Sequence, residues 1–264
     1  VPRDLVYQPV IRVAIGTFRA LGLRIDTVGQ DNVPATGGAV VALNHVSYLD
    51  FMLGGVPFWY AHRRLVRFMA KQEVFAHPVA GPLMRGMRHI PVDRTAGADA
   101  YQAAVEALRS GELVGVFPEA TISRSWCLKD FKSGAVRMAQ EAGVPVIPVV
   151  LWGGHRVLTK GRPRSLLAAR GTPITITVGE PLPVPADGDA TALTAELKAR
   201  MSVLLDGAQR SYPVDPAGAP WWLPAHLGGS APTLAAAAQL DDAERSARRD
   251  QQGLGAAAER ADDV

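Results

Sequence analysis

The stretch Val41–Asp50, VALNHVSYLD, ends an apolar run at Asn44, follows it with His45, and places Asp50 five positions further on. A helix turns about 100° per residue, so residues five apart diverge by about 140° and cannot meet on one regular helix. They meet if a strand ends at Asn44, the chain turns, and Asp50 falls in the first turn of a helix. A carboxylate there holds an imidazole in one tautomer and stabilises its protonated form. The product is a general base with no nucleophile of its own. Such a base suits removal of a proton from a substrate hydroxyl as it attacks an activated carbonyl. The pair alone is not specific: six histidines and sixteen aspartates supply roughly 0.4 such spacings by chance. The plain alternative is a histidine satisfied at a strand end and an aspartate in a helix N-terminal turn.

Other strand ends carry chemistry too. FPEATIS, Phe117–Ser123, follows the apolar run LVGV. HIPVDR, His89–Arg94, is a strand ending in a charged pair, and VPVIPV, Val144–Val149, is a strand with two prolines. Three strand ends thus deliver His45, Arg94 and Glu119, and ligands of open parallel sheets bind at such carboxyl ends.

The elements that must position them alternate. Residues 22–44 read as strand, turn and strand, with NVPATGG as the turn. Residues 47–61 read as a helix, 66–70 as a strand and 71–86 as loop and helix. Then come a strand at 89–93, a helix at 97–110 and a strand at 113–118. A helix at 131–142, strands at 145–152 and 173–179, and a helix at 189–209 complete the pattern. This alternation predicts α/β architecture. Pro9 can open a helix to about Leu21, with Gln8, Arg12 and Arg19 on one face and Val10, Val13, Ile15, Phe18 and Leu21 spread over the rest. A basic amphipathic helix of that length either lies in a membrane interface or packs on its own domain. The expected organisation is an amphipathic interface helix at 1–22, an α/β domain at 23–212, and a tail at 213–264. In the tail, Trp221 and Trp222 can dock and a short helix spans about 232–249.

At 264 residues, 48% hydrophobic and 20% charged, the chain reads as globular. One cysteine excludes a disulfide framework and a cysteine-rich metal site. The net charge of +3 is uneven: residues 1–94 carry eleven Lys/Arg against six Asp/Glu, and residues 214–264 carry four against eight. The basic front end favours anionic partners. No secretory signal is visible, and no uncharged apolar run approaches the roughly 18 residues of a spanning helix. Arg63, Arg64 and Arg67 can meet anionic groups or form a solvated face. Cys127 reads as packing, and the uncharged run Phe51–Ala61 as core. No G-x-S-x-G elbow, P-loop or dinucleotide fingerprint occurs. Nucleic-acid binding is not expected, because the basic residues lack interleaved aromatic platforms.

Taken together, NHVSYLD, GMRHIPVDR, FPEATIS and VPVIPV, in this order and spacing, resemble the four blocks of the glycerophospholipid acyltransferase family, over about residues 30–180. NHVSYLD matches its H-x4-D block, and FPEATIS its third block, usually FPEGTRS. The resemblance implies a mixed, largely parallel sheet flanked by helices. It implies an O-acyltransferase moving a fatty acyl group from acyl-CoA or acyl carrier protein to a lysophospholipid hydroxyl. His45 would be the base and Asp50 its orienting partner. Arg94, Glu119, Thr121, Ser123, Arg124 and Lys129 would form the acceptor side, near phosphate or glycerol. It further implies a peripheral or monotopic protein on the cytoplasmic face of a membrane, with no metal and no cofactor beyond the acyl thioester co-substrate.

Two positions depart from the family pattern. The usual glycine of the third block is Ala120 and the usual arginine is Ile122. Alanine matters if that backbone needs a positive φ. Loss of the arginine removes a bidentate phosphate partner, for which Arg124, Lys129 or Lys132 can substitute. Equally, the acceptor can be a larger glycolipid or phosphodiester. An acyl-thioester hydrolase and a membrane-binding scaffold are the other readings.

Overall fold

Ala39–Leu43 is buried at every position, and the sheet extends on both sides of it. The computed structural model describes residues 4–93, 97–162, 169–218 and 220–247. Helix α1 (Tyr7–Ala20) leads into β1 (Arg24–Val28) and β2 (Ala39–Leu43). Then follow α2 (Asp50–Gly54), α3 (Val56–His62), β3 (Val66–Lys71), α4 (Gln72–Ala76), α5 (Ala80–Gly86) and β4 (Ile90–Val92). Helix α6 (Gly97–Arg109), β5 (Leu113–Val116), α7 (Gly134–Ala142), β6 (Val146–Trp152), β7 (Pro173–Val178) and α8 (Ala190–Arg210) complete the main run. The seven strands lie in the order β1-β7-β6-β2-β5-β3-β4. Strands β2 to β6 are mutually parallel; β7 is antiparallel to β6 and carries β1 parallel to itself. The sheet is therefore mixed and largely parallel, as the resemblance implies.

One local reading changes, and another is borne out with a strand order that the sequence left open. Residues 47–61 form two helices, broken at Gly55, because Pro57 opens the second and cannot continue the first. Residues 22–44 do supply two strands, but β6 and β7 lie between them. Their burial explains this: β1 alternates exposed and half-buried residues, as an edge strand does, whereas β2 is apolar throughout and belongs at the centre. Pro148 sits within β6 without disrupting it. On that side Val146 bridges Leu182 and the β7 ladder begins at Val149, so the missing N–H falls between the two pairings.

Two compact units divide the chain: Val1–Ile122 with Asp130–Val214, and Ser123–Lys129 with Asp215–Val264. In the second, the Trp126 indole donates to Trp221 O at 2.9 Å, Trp222 is buried, and residues 234–247 are helical.

In the first unit, α1 turns Tyr7, Ile11, Ile15 and Phe18 inward. The first three pack with Trp59, Phe75, Met84 and Met87 from α3, α4 and the end of α5. The apolar stripe thus meets its own domain, while Val13 faces out. Tyr7 donates its hydroxyl to Val66 O at 2.7 Å. Arg67, almost fully buried, pairs with both oxygens of Asp4, with Glu112 and with Met87 O. Arg64 donates to the carbonyls of Pro34, Gly37 and Gly111. Two of the three arginines of 63–67 are therefore structural ties.

His89 stands between these layers. Its Nδ1 accepts the Phe68 N–H at 3.0 Å, just before the β3–β4 ladder starts at Met69 and Ile90. Burial, then the nearby Arg67 charge, pushes its pKa down to about 4 from 6.5. The folded protein therefore holds this ring neutral, while the unfolded chain binds its proton below about pH 6.5. The stability cost is absent above that pH and grows as pH falls toward 4, reaching about 3 kcal/mol. Urea unfolding of wild type and His89→Asn between pH 7.5 and 4.5 should show a clearly shallower pH slope in the variant. Equal slopes would remove His89 as the source.

Candidate active site

Strand β2 stops at Leu43, but its pairing does not. The Asn44 side chain donates to Leu151 O at 3.0 Å and accepts the Leu151 N–H at 2.7 Å. The amide continues the ladder onto β6 while the main chain turns away with His45. The turn then closes on one atom. Asp50 Oδ2 accepts the N–H groups of Val46 and Ser47, both at 2.7 Å, and lies 3.0 Å from His45 Nδ1. Asp50 is the first residue of α2, as the spacing predicts.

The turn is braced from the segment after β6. Ser47 donates its hydroxyl to Leu158 O and accepts the Leu49 N–H, and Thr159 donates to Val46 O. Gly154 closes the back: a Cβ there would stand 3.2 Å from Ser47 Cβ and 3.4 Å from Asp50 Oδ1. Asp50 is fully buried, and burial pushes its carboxyl above the ordinary range. The hydrogen bond and charge of His45, with the Ser47 and Val46 N–H groups, pull the other way.

Strand β5 supplies the other side. Phe117 stacks on the His45 ring, with centroids 4.2 Å apart and planes 25° from parallel. Buried Glu119 accepts the His45 N–H through Oε1 at 2.8 Å. The Ala120 N–H donates to Phe117 O, and Ala120 adopts a φ of 61°. The Lys132 N–H donates to Pro118 O at 3.1 Å, and its side chain is exposed. Glu119 and Phe117 thus converge with His45 and Asp50.

The other acceptor-side residues of the sequence reading are Arg94, Thr121, Ser123, Arg124 and Lys129. Arg94 lies outside the described residues. Thr121 is half-buried beside Ala120, and Ile122 is buried. Ser123, Arg124 and Lys129 belong to the second unit. There Ser123 donates to Cys127 O, and Arg124 pairs with Asp241 and Glu244. Lys129 pairs with Asp241 as well. Cys127 is half-buried, with Sγ 3.6 Å from His226 Nδ1. A concavity of about 680 Å³ between β1, β7 and α8 contains none of these residues. Pattern reading missed Asn44, Phe117 and Gly154 as parts of the site. Asn44 was detectable as the one polar residue between the buried run and His45.

The family model for Acyltransferase matches residues 24–152, which include the whole His45–Asp50 turn and the Phe117–Glu119 loop. That segment, residues 24–152, belongs to the glycerophospholipid acyltransferase family. It is 28% identical over 165 residues to the 1-acyl-sn-glycerol-3-phosphate acyltransferase of Bacillus subtilis (strain 168), covering 60% of this chain and 73% of that protein. Against the enzyme of the same name from Limnanthes douglasii it is 34% identical over 142 residues, 52% of this chain and 48% of that one. The Borreliella burgdorferi counterpart is 27% identical over 142 residues, 53% and 55% of the two chains. Beyond the Bacillus protein, the match thus spans about half the length of these relatives. The fold is similar to the crystal structure of the 1-acyl-sn-glycerophosphate (LPA) acyltransferase PlsC from Thermotoga maritima, with a TM-score of 0.65 at 22% identity. That similarity covers 78% of this chain and 81% of the other.

Against the family's third block, the alanine in the glycine position meets the condition that makes it costly. Ala120 is held in the left-handed region, where a Cβ costs about 1–2 kcal/mol. Glycine would relieve this and lose part of the gain to its freer unfolded chain. Ala120→Gly should raise stability by about 0.5–1 kcal/mol in urea unfolding. A lower midpoint in the variant would show that the turn carries no such strain.

Proposed function

We propose that this chain is an O-acyltransferase that moves a fatty acyl group from acyl-CoA or acyl carrier protein to a hydroxyl of a lysophospholipid such as 1-acylglycerol 3-phosphate. The observation that carries this reading is the direction of the His45 ring. With Nδ1 turned to Asp50, Nε2 is the atom left to act on substrate. In this mechanism Nε2 takes the proton of the acceptor hydroxyl as its oxygen attacks the thioester carbonyl. Asp50 offsets the imidazolium charge formed at that moment. The tetrahedral intermediate then expels the thiolate, which receives the same proton from Nε2. The new ester and a free thiol leave, and His45 returns to its starting state. Glu119 and Phe117 hold the main chain and ring of His45, so that the base meets both substrates in one orientation.

On the acceptor side, Arg94 would bind phosphate. Arg124 and Lys129 already have carboxylate partners, so Lys132, exposed and tied by its backbone to Pro118, is the better substitute for the arginine absent at Ile122. Names of the relatives support a lysophosphatidic acceptor. The buried Ile122 favours a second reading, in which the head group is larger and carries a phosphodiester or a sugar. The protein would work as a peripheral or monotopic enzyme on the cytoplasmic face of a membrane, and no helix among the described residues is long and apolar enough to cross one.

Purified enzyme given acyl-CoA or acyl carrier protein with a panel of lysolipids, and products read by mass spectrometry, tests the reading directly. Thioester cleavage that is independent of any lipid acceptor would identify a hydrolase instead. His45→Ala should lower turnover by about 10²-fold or more while the protein stays folded, and Asp50→Asn should also lower it strongly. Near wild-type turnover in His45→Ala would overturn the mechanism. Arg94→Ala and Lys132→Ala should raise the acceptor KM far more than the donor KM, each by the equivalent of about 1.5–3 kcal/mol, the range for a hydrogen bond to a charged group. Equal effects on phosphorylated and neutral acceptors would reject the phosphate assignment.

A further inference from the structure

Helices α4 and α5, with the link between them, form a hairpin whose outer surface is apolar. From Val74 to Leu83 the sequence VFAHPVAGPL contains no Lys, Arg, Asp or Glu. Within it Val79 is 67% exposed, Leu83 41% and Val74 38%, and Ala76, Pro78 and Pro82 are exposed as well. This is a built surface. Phe75 and Met84 anchor it in the cluster under α1. Arg85 donates to Phe75 O at 2.7 Å, and Gly81 lies so close to Phe75 O that a Cβ would stand 2.2 Å away. His77 Nδ1 accepts the N–H groups of Val79 and Ala80, so its polarity is turned to its own backbone. Val6 packs against Gly86, which brings the exposed Leu5 to the same end.

The surroundings are basic. Residues 56–88 hold six Lys/Arg and one acid, Glu73; Arg67 and Arg88 pair with Asp4 and Glu112 and Arg64 binds backbone carbonyls, so Arg63, Lys71 and Arg85 are the cations of this stretch that belong to the rim. Lys71 and Arg85 bracket the hairpin, and Arg12 and Arg63 lie over the Trp59 ring in the same helical layer. An exposed apolar tip inside a cationic rim matches an anionic lipid surface in both layers, tails and headgroups. Isolated exposed apolar residues need no explanation, but a rigid, uncharged run of them does.

We propose that the α4–α5 hairpin seats the protein in the interface of an anionic bilayer, with Val74, Val79 and Leu83 entering the apolar zone. Its position suits that role. Strands β2, β5 and β3 are adjacent and parallel, so Leu43, Val116 and Lys71 end on one edge of the sheet. Helix α4 begins directly after Lys71, about 10 Å, two strand spacings, from the strand that leads to His45. A bilayer met by the hairpin therefore lies on the edge where the His45–Asp50 pair sits; this positional part rests on the proposed lysolipid acceptor, whereas the apolar tip and its rim do not.

The test uses the full chain with sonicated vesicles of phosphatidylglycerol and phosphatidylcholine in equal parts, and of phosphatidylcholine alone. Wild type should co-float with the anionic vesicles and much less with the neutral ones. Val79→Asp/Leu83→Asp should weaken that binding by about tenfold or more, with Val79→Ser/Leu83→Ser in between. Both sites are exposed, so folding, checked by thermal unfolding, should be kept, and so should turnover on a short-chain lysophosphatidic acceptor below its micelle concentration. Vesicle binding unchanged in the aspartate variant would overturn the proposal. So would a wild type that ignores vesicles but self-associates through this surface in sedimentation. Lost vesicle binding in a protein that acylates no lysolipid would keep this proposal and reject the acceptor reading.

Discussion

One carboxylate oxygen organises the site. Asp50 Oδ2 takes the His45 ring and two backbone N–H groups at once. Hydrogen bonds to a charged group contribute about 1.5–3 kcal/mol each, and a buried carboxylate without them would be costly. The three donors are therefore the condition for placing Asp50 in the interior at all. They also explain the five-residue spacing. The N–H groups of residues 46 and 47 can reach back to residue 50 only when the strand has ended and the helix is about to begin. The same closure that satisfies Asp50 Oδ2 thus aims the imidazole, and no separate device is needed to choose its tautomer.

The closure depends on β2 being central. A parallel neighbour on each side brings two more carboxyl ends to the same edge. From β6, Leu151 receives the Asn44 amide, and the following segment braces Ser47 and Val46. From β5, Phe117 covers the imidazole face and Glu119 holds the His45 N–H. Since Ala42 pairs with Val116, the histidine and the glutamate each stand three residues past the same rung. For Glu119 to reach back toward β2, the chain must reverse immediately, and the positive φ at Ala120 accompanies that reversal. Glycine would be the unstrained choice there, so the alanine is a local cost at the functional turn.

Much of this was legible because it is local. Apolar runs and their polar ends marked β2, β5 and β6, and simple helix geometry placed Asp50 at a helix start. What stayed hidden depends on long separations. Asn44 meets Leu151 across 107 residues, and Arg124 and Lys129 meet Asp241 across 117 and 112. A sequence window shows cations beside the third block. It does not show that acids near the far end of the chain take them up. The same limit applies to Arg67, whose partners Asp4 and Glu112 lie 63 and 45 residues away. Strand order was hidden for a related reason: two strands joined by a short turn invite a hairpin, and only the fully buried pattern of β2 against the alternating one of β1 separates them.

The helical layer beside the sheet shows how a periodic signal can point the wrong way. Helix α1 has the spacing of a surface-seeking helix, yet Tyr7, Ile11 and Ile15 complete a cluster with Trp59, Phe75, Met84 and Met87. Period is the mark of a face that must fit another face, and a folded core is the commonest partner for it. A surface that meets fluid lipid needs no period, because lipid imposes no register. It needs exposure, low charge and enough rigidity that apolar side chains are not simply folded back. The short helices α4 and α5 are too brief to show periodicity, and two prolines and a glycine at 78, 81 and 82 set their turns. Those residues fix the shape of the tip, while Phe75 and Met84 take the inward positions and leave Val74, Val79 and Leu83 outside. Apolar content in this layer is therefore divided by geometry: the regular stripe is used to close the core, and the irregular remainder stays at the surface.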